Sequence, residues 1–213
     1  MIRQIAGELK RHVPFTVFGA ATGIVIMVVI IFGDFLDSVL PVSDNVFYIL
    51  HPTHVFLSAL VTTSLFVIYG RRNIWLAVLI GYTGSVGIAT LGDSVIPYIG
   101  ETLLDLPNKG IHIGFIEEPL LTNPAAFLGI AIGYRRSVTR FPHAGHVLIS
   151  TWASLFHVIM AIGTTLSWVQ WVVIFMFLFL AVWLPCCTSD IVYPILFSRR
   201  GAHALEEIHQ HMH

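Results

Sequence analysis

The sequence predicts an all-α integral membrane protein of six transmembrane helices, arranged as two inverted three-helix repeats. Three observations predict it. The 213-residue chain is 56% hydrophobic and only 11% charged, against roughly 25% charged in a soluble domain. Its basic residues segregate to one side of the candidate spans. A set of polar residues, costly inside an apolar segment, occurs twice in the same order.

The spans come first. Pro14–Gly33 is uncharged over 20 residues, enough to cross a hydrocarbon core of about 30 Å. It is too long for a signal peptide and lacks the small-residue cleavage pattern. Further apolar runs are Val46–Gly70, Ile74–Ile99, Ile113–Tyr134, Val147–Leu166 and Trp168–Phe197. All six should be helical, because backbone groups in lipid must satisfy one another within the segment. Orientation follows from the positive-inside rule. Arg3, Lys10 and Arg11 precede the first span, and Arg71 and Arg72 join the second and third. Arg135, Arg136 and Arg140 join the fourth and fifth, and Arg199 and Arg200 follow the sixth. Lys109 alone falls on the other side, so the expected protein is multi-pass, in a plasma or inner membrane, with both termini cytoplasmic. Asp34, Asp37, Asp44, Glu101 and Asp105 should lie in outer loops, where acids raise the local cation concentration.

The repeat is the most informative feature. His51-Pro-Thr-His54-Val-Phe-Leu-Ser58 returns as His143-Ala-Gly-His146-Val-Leu-Ile-Ser150. Each copy is followed by an apolar stretch ending in DxVxP: Asp93 to Pro97 and Asp190 to Pro194. Upstream, Pro14, Gly19 and Gly23 have the spacing of Pro124, Gly129 and Gly133. Fixed-order self-similarity of this kind sets the architecture. The expected units are residues 1–105, residues 106–200 and a His-rich cytoplasmic tail over residues 201–213, suited to binding metal. Three spans per half is an odd number, so the second half enters the membrane upside down, as in many secondary transporters. The surplus of residues between Gly23 and His51 is expected in an acidic outer loop.

Histidine and aspartate within a membrane are functional candidates. Residues three apart share a helix face, so His51 and His54, and likewise His143 and His146, can aim two imidazoles at one point. A carboxylate would complete a nitrogen/oxygen site for a divalent metal. The expected ligands are therefore His51, His54 and Asp93 in an outer cluster, with Glu117 or Glu118 nearby, and His143, His146, His157 and Asp190 in an inner one. At about 100° per residue, His143, His146, Ser150, Ser154 and His157 form one stripe, and His51, His54, Ser58 and Thr62 another. Cys186 or Cys187 offers a soft ligand to the inner cluster.

Two short resemblances lead nowhere further. Asn123-Pro124-Ala125 resembles the NPA triplet of aquaporins, over three residues, and His12-Val13-Pro14-Phe15 in the first half lacks it. Glu117-Glu118 resembles the glutamate pair of intramembrane prenyl-proteases, but Thr122 stands where that family has arginine. The reading that follows is a transporter for a divalent transition metal, zinc first, working in a lipid bilayer without nucleic-acid partners and compatible with a homo-oligomer. Neutral imidazole is needed for ligation, so transport should depend on pH. The alternatives are an intramembrane zinc-dependent hydrolase using one cluster and a b-type haem protein with axial histidines.

Overall fold

In a computed structural model the protein is all-helical, with no strand among the described residues. The structure describes residues 2–69, 73–136, 140–163, 166–193 and 197; for 2–12, 15, 69, 140–144, 187, 190 and 191 it describes the backbone. His143, Cys187 and Asp190 thus lie outside the described side chains, and the tail from His203 onward lies outside the described residues. Among the described residues, six long helices account for the fold: α1 (Ile2–Phe32), α2 (Leu36–Tyr69), α3 (Ile74–Leu103), α4 (Pro119–Arg135), α5 (Arg140–Ala161) and α6 (Trp168–Cys187). A single helical turn, Gly114–Glu117, precedes α4.

Among the described residues, three stretches are long and apolar enough to cross a membrane: Leu36–Ile68, Ile74–Leu103 and Trp168–Cys186. Thr16–Phe32 and Gly145–Ala161 are shorter apolar helices. The distribution of residues agrees with a lipid environment. Trp75, Phe32, Leu120 and Trp168 are among many large apolar side chains left exposed, while Ser, Thr, His and Asp fill much of the interior. A water-soluble monomer rarely exposes apolar surface on that scale.

One boundary differs from expectation. The residues after Gly23 do not form a long acidic loop. They lengthen α1 to Phe32 and start α2 at Leu36, so Asp37 and Asp44 are helical. The turn between the helices is tight, with Asp34 at φ 59°, the left-handed conformation in which Asp is enriched among non-glycine residues. His51 and His54 consequently sit near the middle of a 34-residue helix rather than at its outer end. Pro41 and Pro52 are both accommodated inside it.

The contacts between the halves are reciprocal. Gly19 of α1 lies against Thr151 of α5, and Gly129 of α4 lies against Ala59 of α2. Thr151 and Ala59 hold the same place after their HxxH motifs. Gly23 meets Leu155 of α5, and Gly133 meets Thr63 of α2, again matching positions. Each GxxxG motif thus lets its helix approach the histidine helix of the other half, the use small residues have in membrane packing.

The acid-bearing helices match too. In α3, Leu91–Val95 is a π-helical turn, and after α6 the turn Thr188–Val192 is π-helical as well. These are equivalent segments of the repeat, each containing the Asp of DxVxP. Ser154 Oγ donates to the carbonyl of Gly92 at 3.3 Å, and Thr62 Oγ1 donates to the carbonyl of Ser189 at 3.2 Å. Those four residues are again repeat equivalents. A wide turn displaces the backbone from the i→i−4 ladder, and the hydroxyl of the opposite half supplies a hydrogen bond there. Such π-turns cluster at functional sites.

Candidate metal centre

Asp93 is the hub of the interior. Its Oδ2 accepts hydrogen bonds from His51 Nδ1 at 2.9 Å and His54 Nδ1 at 2.7 Å. Its Oδ1 accepts from Ser150 Oγ at 2.8 Å. The three partners come from both halves of the repeat, and all four side chains are buried. A carboxylate only accepts, so both imidazoles carry their proton on Nδ1. In the neutral ring that leaves Nε2 able to bind a cation.

Sequence spacing alone placed His51, His54 and Asp93 in one cluster, and the structure does bring them together. The carboxylate is engaged by the two Nδ1 atoms rather than left open beside them, the arrangement in which a carboxylate orients a ligating histidine and raises its basicity. His51 Nε2 is buried and makes no hydrogen bond. It faces Gly114, where an added Cβ would come within 2.8 Å of it.

The free edge of His54 points to the second half. Its ring stacks on that of His146 with centroids 5.4 Å apart and planes 18° from parallel. Cys186 Sγ lies 3.8 Å from His54 Nε2. The ligand atoms of His54, His146 and Cys186 all fall within 4.8 Å of one another, and all three residues are buried. This group can hold a metal ion. Zinc bonds of about 2.0–2.1 Å to nitrogen and 2.3 Å to sulfur imply a nitrogen–sulfur separation of about 3.6 Å in a tetrahedral shell. The 3.8 Å from Nε2 to Sγ is close to that.

Of the expected outer cluster, His51, His54 and Asp93 meet; of the expected inner one, His143 and Asp190 lie outside the described side chains. His54 and His146, equivalent residues of the two motifs, meet at one point. The reason is the reciprocal packing of α2 and α5, which turns both polar stripes inward to the same seam. Ser58, Thr62, Ser150, Ser154 and His157 are all buried along it.

Glu117 and Glu118 do not join His51, His54 and Asp93. Both are exposed. Glu117 accepts a hydrogen bond from Tyr48 and lies 3.4 Å from His112 Nδ1. It also caps its own turn by accepting from the Ile113 backbone N–H at 3.2 Å. The acid buried on this side is Glu101, which was expected in a loop. The helix α3 runs on past it to Leu103, and Glu101 Oε1 pairs with His157 Nδ1 at 2.6 Å. His157 accordingly stands apart from His146, with a carboxylate of its own. The apolar Leu103-Leu104 that follows Glu101 was the available sign that it lies within a helix. His112, in the segment leading to α4, has its pKa lowered from the usual 6.5, first by partial burial and then by its neighbour His157.

In comparisons with known proteins, no family, curated protein or solved structure matches this chain.

Proposed function

We propose that this protein is a membrane carrier for a divalent transition-metal cation, with one central site made by His54, His146 and Cys186. One observation carries the reading. Equivalent histidines of two sequence repeats meet with a thiol at the interface between the halves. Secondary transporters with inverted repeats keep their substrate sites at that interface.

The chemistry of the donor set supports a cation of borderline softness. Two imidazoles and a thiolate suit zinc and its neighbours and are poor ligands for magnesium or calcium. Charge supports a divalent ion. With Cys186 as thiolate and Asp93 ionised, a 2+ ion leaves the buried site neutral, and burying net charge is costly. The reciprocal GxxxG contacts and the paired π-turns support six spans in two inverted halves that rock about this site. The segregated basic residues support cytoplasmic termini.

Two other readings fit less well. A hydrolase needs a general base beside the metal, and Glu117 and Glu118 are exposed and elsewhere. Axial haem ligands need a porphyrin between them, and rings stacked at 5.4 Å leave no room for it.

Cobalt(II) absorption of the purified full-length protein tests the site. Wild-type protein should show the intense charge-transfer band of a cobalt–thiolate bond, and Cys186→Ser should lose it. His54→Ala and His146→Ala should each abolish zinc flux in reconstituted vesicles, while removal of the tail from His203 onward should leave flux intact. Cobalt binding without a thiolate band, or full flux in both histidine variants, would overturn the reading.

A further inference from the structure

A second buried polar cluster lies apart from the cation site. His157 of α5 and Glu101 of α3 form a tight pair, with Nδ1 to Oε1 at 2.6 Å and both side chains at most 1% exposed. The other nitrogen of His157, Nε2, is buried with no hydrogen-bond partner. The ring of His112 meets that of His157 edge to face at 5.3 Å. His112 is part exposed, and beside it lie Glu117 and Tyr48. A series of titratable groups thus runs from the surface to a buried carboxylate.

The series stops at one apolar ring. Phe47 of α2 is fully buried, stacked on His51 at 5.5 Å and edge-on to His157 at the same distance. It touches both the pair, through His157, and the His51–Asp93–His54 triad, through His51. Around the pair, α2 contributes Asp44, which acts on His112, and Tyr48; α3 contributes Glu101. From α1 and α6, Met27, Ile30, Ile174 and Leu178 belong to the same buried apolar cluster as Val158 and Ile159, beside His157 in α5. No lysine or arginine among the described residues pairs with Glu101, so its counter-charge is His157 once protonated.

We infer that the His157–Glu101 pair is a proton-binding site, filled from outer water through His112 and shut off from the cation site by Phe47. A proton delivered to His157 Nε2 leaves Nδ1–H on Glu101 and makes an imidazolium–carboxylate pair. Its release restores the neutral imidazole at Nε2. The pair carries the proton that exchanges for the cation, a role that rests on the carrier reading above. The buried carboxylate makes that proton binding favourable, because a lone imidazolium there would be unpaired.

The test has two arms on full-length protein. The first needs no transport: the nitrogen-15 resonances of the His157 ring are followed against pH. In wild type the ring should titrate, and Glu101→Gln should lower the midpoint by at least one pH unit. A midpoint that does not move would overturn the proton site. The second arm uses vesicles holding a trapped pH dye and a zinc gradient. Wild type should move protons against zinc. Glu101→Gln should reduce that proton movement at least tenfold while cobalt affinity at the central site stays within threefold. Coupled proton movement at the wild-type ratio in Glu101→Gln would overturn the coupling role. His157→Gln serves if Glu101→Gln does not fold, and should lose the same proton movement. Phe47→Ala should let protons leak without zinc. If wild-type protein binds no cobalt, the carrier reading falls, and the resonance titration still decides the proton site.

Discussion

Asp93→Asn is the most discriminating change, because asparagine keeps the shape and removes the charge. With its amide oxygen toward the histidines, the substituted side chain still accepts from both Nδ1 atoms, and its amide nitrogen donates to Ser150. What is lost is the charge assistance on all three bonds, at 2.9 Å to His51, 2.7 Å to His54 and 2.8 Å to Ser150. Hydrogen bonds to a charged group contribute about 1.5–3 kcal/mol, and neutral ones about 0.5–1.5. The two histidine bonds alone give a loss of about 2–3 kcal/mol in stability. Removing a carboxylate that orients a ligating histidine typically weakens metal binding about 10–100-fold. The assay is a cobalt titration followed by absorbance, with thermal unfolding measured alongside. Affinity should fall within that range while the ligand-field spectrum keeps its shape, because Asp93 stands behind His54 rather than on the metal. A changed spectrum would make Asp93 a direct ligand. Unchanged affinity and unchanged unfolding would refute the whole account of the hub.

Three further outcomes follow from the packing and the charges. Gly129→Ala and Gly23→Ala should differ sharply. An added Cβ at Gly129 would lie 2.9 Å from Ala59 Cβ and press on the Phe56 carbonyl, whereas at Gly23 the nearest atom is 3.5 Å away; thermal unfolding in detergent should show Gly129→Ala much the less stable. Thr62→Ala and Ser154→Ala should each cost about 1 kcal/mol by the same assay, and by similar amounts, since they make equivalent bonds to the π-turns at Thr188–Val192 and Leu91–Val95. His112 should stay neutral at pH 7 and titrate below 6.5 by imidazole resonance. Because its folded pKa is depressed, the unfolded chain binds the proton first. Its contribution to stability is therefore unfavourable as pH falls from the usual value towards the folded one, and an unchanged midpoint in His157→Gln would deny the part assigned to that neighbour.

Much of this was legible in the chain. Low charge and long apolar runs specify helices suited to a membrane, because backbone polar groups in lipid must pair within their own segment. The 3-residue spacing of His51 and His54 puts two rings on one face whatever the fold. The order of GxxxG, HxxHVhhS and DxVxP marks a repeat within the sequence. Periodicity of this kind fixes what shares a face, but not which faces meet. That was decided by the glycines of α1 and α4, which draw α5 and α2 close and bring His54 onto His146. Only that crossing makes a thiol in α6 the neighbour of an imidazole in α2, over a separation of 132 residues. It was also tertiary structure that placed Glu101 on His157 and left Glu117 at the surface. Two acids of equal charge differ there because α3 extends beyond its apolar run and carries one of them inward. The turn before α4 holds the other at the protein's edge.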